Sequence, residues 1–322
     1  MCDEYTLPLR LLLHLFSAYD FFLAQFVKRR LVSLAQKTIR LELLREHSFP
    51  HAVGSFATLK EEIFLTRSTS DQSPVDVEVY ERNNMAELKD IIAISGLKVM
   101  NIEACNVSNC VYVLCRRTDE SNCLSVLRMK KDSEHRYNIS TWISDLGFLH
   151  ASISVLPNGI LSVAHGYNPV ALKHYDANGS LVLSSDVSGL GFVDRVLQKA
   201  NGNFVLATLN LDKDETVLTE MDTFGKVRGQ YISFIDAMSS SVHFADPYDR
   251  IMITDKTEEG IELLDSELNL LEFEGRELLS VYIPIELSYS NSQRNELVFI
   301  CTDGSDLDDS PRTVSTFRIT EE

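Results

Sequence analysis

The chain has 322 residues, 44% of them hydrophobic and 24% charged, the balance of a folded protein rather than a disordered one. Its net charge of −17 sits beyond residue 40: residues 1–40 hold six Lys/Arg against three Asp/Glu, and the remainder holds 24 against 44. A body with that field repels phosphate backbones, which argues against nucleic acid as a partner.

The first segment, residues 1–39, is the most apolar. At helical spacing Leu12, Phe16, Tyr19 and Leu23 line one face, which predicts an amphipathic helix docked on the body or on another chain. Contact with a membrane is the alternative, but Arg10, His14 and Asp20 interrupt a spanning segment. A basic start and a small-residue cleavage site are both missing, so a secretory signal fits poorly and a cytoplasmic location is expected. "LELLRE" at 41–46 follows and resembles "LNLLEF" at 268–273.

From residue 47 onward one unit recurs. "LKEEIFLT", "VSNCVYVLC", "PNGILSVA", "ANGNFVLA", "PYDRIMIT" and "SQRNELVFI" each pair a turn with a short apolar strand. Aligned on Gly159, they place Glu62, Cys110, Gly159, Gly202, Asp249 and Asn295 at intervals of 43–49 residues. The Asn-Gly pairs at 158–159 and 178–179 are strong hairpin signals, because Asn-Gly tolerates the positive φ of tight turns. A second landmark keeps step: Asp176, Asp222 and Asp265 each open a turn, where an Asp carboxylate can accept backbone amides two residues on. Four short strands per unit at this period predict an all-β fold, a six-bladed β-propeller over residues 40–322. The last repeat stops one strand short, and residues 41–46 are expected to supply that strand and close the ring.

"PNGILSVA", "ANGNFVLA", "HFADPYDRIMITD" with "GIELLDSELNLLEFEG", and "SFPHAVGSFATLKEEIFLTR" resemble propellers of the NHL-repeat type, over about 280 of the 322 residues. The resemblance implies either a partner-binding module, as in tripartite-motif ubiquitin ligases, or a metal-dependent lyase like the secreted members. No paired Cys/His cluster of a RING is present, so ligase activity does not carry over.

Cys105, Cys110, Cys115 and Cys123 fall within 19 residues but lack the paired C-x2-C spacing of structural zinc, and read as buried thiols. No esterase elbow, phosphate loop, zinc helix or dinucleotide fingerprint occurs. The acidic loop at 302–313 departs from the calcium-loop order. One constellation has chemical content. Aligned starts of the innermost strands bring His51, Glu103, Asp194, His243 and Glu286 toward one axis, with His150 beside the third blade. Imidazoles and carboxylates converging on a channel suit zinc or calcium, and acid–base chemistry for a hydrolase or lyase. Against that, a His before an apolar strand can simply bond a neighbouring blade. The leading expectation is a non-enzymatic scaffold, without cofactor, that binds protein partners bearing basic patches through its loops.

Overall fold

The strand Cys110–Arg117 shows how the chain builds its core. Its side chains alternate, so Val111, Val113 and Cys115 point to one face and Cys110, Tyr112 and Leu114 to the other. All six are buried. The first set packs with Ala57, Phe64, Val77 and Val79 of the preceding sheet. The second packs with Ile153, Leu161 and Val163 of the following one. A strand apolar on both faces demands a sheet on each side, and that demand repeats along the chain.

The computed structural model describes residues 39–49, 51, 53–67, 76–94, 96–117, 123–144, 146, 151–165, 171–187, 190–236, 240–244, 248–255, 261–271, 283–290, 296–302 and 312–321, the side chains of 255, 283–312 and 321 excepted. It is a β-propeller, with no helix among the described residues. These form six four-stranded sheets. Sheet one comprises β2 (Val53–Leu59), β3 (Glu62–Arg67), β4 (Val77–Glu81) and β5 (Asn84–Ile92). Sheet two comprises β6 (Leu97–Cys105), β7 (Cys110–Arg117), β8 (Leu124–Lys131) and β9 (Tyr137–Ile143). Sheet three holds β10 (Ala151–Val155), β11 (Leu161–His165), β12 (Ala171–Tyr175) and β13 (Leu181–Asp186). Sheet four holds β14 (Phe192–Gln198), β15 (Phe204–Asn210), β16 (Glu215–Met221) and β17 (Val227–Ile232). Sheet five holds β18 (Ser240–Phe244), β19 (Ile251–Asp255), β20 (Ile261–Leu264) and β21 (Leu270–Leu271). The last sheet is ordered β22 (Ile283–Ser290), β23 (Glu296–Thr302), β24 (Arg312–Glu321) and then β1 (Ile39–Ser48).

Within each sheet the first strand is innermost. β2 touches β6, β6 touches β10, β10 touches β14, β14 touches β18, β18 touches β22, and β22 returns to β2. Apolar clusters between sheets three and four (Leu172 with Val193 and Leu206) and between four and five (Val205 with Val242 and Ile253) repeat the pattern. Another joins Phe56, Ile63 and Leu65 of sheet one to Val314 on β24.

The strand β1 belongs to the start of the chain yet bonds to its end. It lies beside β24, and Ser48 Oγ is 3.1 Å from Thr313 Oγ1. From the same strand the Arg45 guanidinium donates to Asn83 Oδ1 at 3.0 Å in sheet one. The strand runs from Ile39 to Ser48. The helix expected over residues 1–39 otherwise falls outside the described residues, as do Asn295 and most of the acidic loop at 302–313.

One turn is used again and again. After the third strand, Asp132, Asp176, Asp222 and Asp265 each accept, through Oδ1, the amides two and four residues on. The residue three beyond each Asp then takes a positive φ: His135, Gly179, Gly225 and Leu268. The Lys226 and Phe224 amides, with Arg228 beside them, hold the Asp222 carboxyl below the ordinary carboxylate range. Asp132 carries the same device, which the sequence reading did not include. In the turns after the first strand, the left-handed positions are Lys60, Asn109, Gly159, Gly202 and Asp249. The repeat phase assigned to Glu62 and Cys110 is therefore displaced, since those residues begin strands instead.

A chain beginning at Phe49 loses the burial of Ile39 and Leu41, worth about 3 kcal/mol. It is expected to melt roughly 6 °C or more below the full chain in calorimetry. His135 is exposed and holds a backbone conformation that suits Gly. His135→Gly is expected to raise stability by roughly 0.5–1 kcal/mol in urea titration.

Candidate functional site

The innermost strands carry the candidate ligands at different depths. His51 precedes β2, Glu103 lies near the end of β6, Asp194 is in the first half of β14, and His243 is next to last in β18. Glu286 is on β22 opposite Ile300, but its side chain, like all of His150, lies outside the described residues. Among the described residues, no three His, Cys, Asp or Glu side chains are grouped so as to hold a metal ion.

Each described candidate whose contacts are resolved has a local role. Glu103 forms an ion pair with Arg195, whose side chain is almost fully buried. The two lie on β6 and β14, with β10 between them in the ring, so the pair reaches past a whole sheet at the inside of the propeller. The register of β14 skips Asp194, passing from Val193 to Arg195. That bulge places Arg195 where it meets Glu103, and no periodicity in the sequence announces it.

Around this pair the innermost strands are tied by serines. The Ile102 amide donates to Ser55 Oγ at 3.3 Å and the Val196 amide to Ser154 Oγ at 3.1 Å. Ser152 Oγ donates to the Val193 carbonyl at 3.2 Å. His243 Nε2 is 2.8 Å from Ser241 Oγ, and both residues are buried. His51 Nε2 lies 3.2 Å from Glu78 Oε2. Glu78 is 1% exposed and also pairs with Arg67 and accepts from the Tyr80 hydroxyl at 2.8 Å. Burial first, then the bond to Glu78, pushes the Tyr80 hydroxyl well above its usual range.

A zinc or calcium ion in the channel needs several convergent, uncommitted donors. Glu103 pairs with Arg195, and His51 lies against Glu78.

Two further features lie away from the axis. A cleft of about 360 Å³ opens among the turns of sheets one and two, with Lys60, Asn109 and His135 along it. Of its two carboxylates, Glu62 is taken up by Lys131 Nζ at 2.6 Å and the Tyr137 hydroxyl at 2.5 Å, and Asp132 by its turn amides. The other feature is the outer edge of sheet four. Phe224 in the β16–β17 turn is 95% exposed, Phe234 just after β17 is 78% exposed, and Val227 and Ile232 on the strand between them are about half exposed. Tyr248, in the turn before β19 of the next sheet, is 64% exposed.

No family model matches the chain, and no curated protein does. Solved structures resemble it in fold. A glucose dehydrogenase shares 10% identity at a TM-score of 0.55, over 86% of this chain and 98% of that one. An auxiliary nutrient binding protein from Bacteroides thetaiotaomicron shares 12% at 0.52, over 87% and 77%. Kuenenia stuttgartiensis hydrazine synthase shares 13% at 0.51, over 84% and 83%. Names so different on one fold, at such low identity, support the propeller and nothing finer. No helix among the described residues is long and apolar enough to cross a membrane.

Removing one partner of a largely buried ion pair leaves the other charge poorly compensated. Glu103→Ala is therefore expected to cost about 2–3 kcal/mol. Restoring much of that loss with Arg195→Leu in the Glu103→Leu background, measured by denaturant unfolding, distinguishes a structural pair from a catalytic one.

Proposed function

We propose that the protein is a non-enzymatic interaction scaffold, a six-bladed propeller of NHL-like repeats closed by β1, acting in the cytoplasm. The observation that carries this reading is the apolar edge of sheet four. Isolated exposed apolar residues are ordinary. Here Phe224, Val227, Ile232 and Phe234 fall along one outer strand and the turns at its two ends. Aromatic anchors on a rigid support are the residues that dominate protein interfaces. The partner is a protein whose basic patches meet the acidic body, which carries −20 against +3 in residues 1–40. The free thiols at Cys105, Cys110, Cys115 and Cys123 fit a reducing compartment.

Binding of a partner isolated with the full chain is expected to weaken roughly tenfold or more in Phe224→Ser/Phe234→Ser. Its association rate should fall as salt is raised. An affinity untouched by the double substitution removes sheet four from the interface. Stoichiometric zinc or calcium retained after dialysis, and lost in His51→Ala/His243→Ala, would instead favour the metal-dependent hydrolase or lyase.

A further inference from the structure

Cys105 ends β6 and Cys110 opens β7, and the two are direct cross-strand partners. Four residues, Asn106–Asn109, form the turn between them. Directly opposed residues of antiparallel strands have Cα atoms about 4.5–5.5 Å apart. A disulfide accepts about 4.4–6.8 Å, so the backbone already holds these thiols at bridging range. Both side chains are free and buried.

Their surroundings divide the labour between them. Cys105 Sγ accepts the Ser108 amide at 3.3 Å. A hydrogen bond from the Cys110 thiol, outweighing burial, lowers Cys105 to about 6. The same bond, together with burial, pushes Cys110 far up, while Tyr112 and the Arg128 charge pull the other way. The shared hydrogen bond thus makes the two thiols unequal, with Cys105 the lower and Cys110 the higher; the Cys105 Sγ also lies 3.8 Å from the Gly159 carbonyl oxygen. Cys115, five residues further along β7 and on its other face, is pushed up to about 12 by burial alone and serves as an internal contrast. The turn joining them reaches solvent: Asn106 is exposed and Val107 is 65% exposed.

We propose that Cys105 and Cys110 are a redox-active dithiol that closes to a cross-strand disulfide on meeting a hydroperoxide. The Cys105 thiolate attacks the terminal peroxide oxygen. The O–O bond breaks, an alcohol (or water) leaves with a proton from solvent, and Cys105 becomes a sulfenic acid. Cys110 sulfur then displaces the sulfenic oxygen, giving up its proton so that water leaves and the S–S bond forms. Two electrons pass from the dithiol to the peroxide, and a dithiol reductant reverses the change. The bridge fixes the turn at 106–109, which lies against the β10–β11 turn: a Cβ built on Gly159 would be 2.8 Å from Val107 Cβ. Oxidation therefore acts where sheets two and three meet.

The test uses the full, unsubstituted chain. It is treated with hydrogen peroxide, alkylated under denaturing conditions and mapped by peptide mass spectrometry. The expected result is loss of two hydrogens from the intact mass and a Cys105–Cys110 cross-linked peptide. Dithiothreitol should restore both thiols, and Cys115 should stay alkylatable throughout. In Cys110→Ser the sulfenic acid of Cys105 should persist long enough to be trapped by dimedone. Cys105 and Cys110 both alkylatable after Cys123 has been oxidised would overturn the proposal. So would Cys105 bridged to another cysteine, or driven to the sulfinic acid beside an unreacted Cys110.

Discussion

Everything in this propeller depends on sheets that are apolar on both faces. A strand such as β7, buried on alternate sides by Val111 and Val113 and by Tyr112 and Leu114, cannot shield itself within one four-stranded unit. Each sheet must be covered twice, and the economical solution for identical units is a ring in which every sheet covers its neighbours. The requirement also explains the contact of β22 with β2, which brings the last unit back to the first. β1 meets the remaining need, since a ring of this kind is stable only while its ends stay joined. It lies beside β24 while Arg45 bonds into sheet one.

The inside of the ring is governed by a different rule. Innermost strands crowd together there, and polar side chains survive only by finding partners at close range. Serines cap the amides of the next strand, and Glu103 and Arg195 neutralise each other past β10. Chemistry of another kind sits between sheets two and three, where a hairpin happens to oppose two cysteines whose mutual hydrogen bond makes them unequal. The outer edge of sheet four is the reverse case, with apolar groups left facing solvent on strand β17 and its turns.

The sequence by itself determined the architecture and the turns. A period of 43–49 residues, strands apolar in alternation and Asp-opened turns follow from local chemistry: side-chain alternation in a pleated strand and a carboxylate capping two amides. Asp176, Asp222 and Asp265 could be read directly for that reason. His135 and Leu268 could not be read as left-handed residues, because there the Asp cap and the neighbouring strands enforce a backbone that the residue itself resists. The candidate site was decided by tertiary structure alone. His51, Glu103, Asp194 and His243 are on or beside innermost strands, as their positions in the repeat suggest. Whether they converge depends on single-residue shifts, such as the bulge at Asp194 that sends Arg195 to Glu103. Such a shift costs little locally and reverses a side chain's direction, so no pattern in the chain records it. The pairing of Cys105 with Cys110 was likewise invisible in their spacing, because it rests on which strand residues face each other across a four-residue turn.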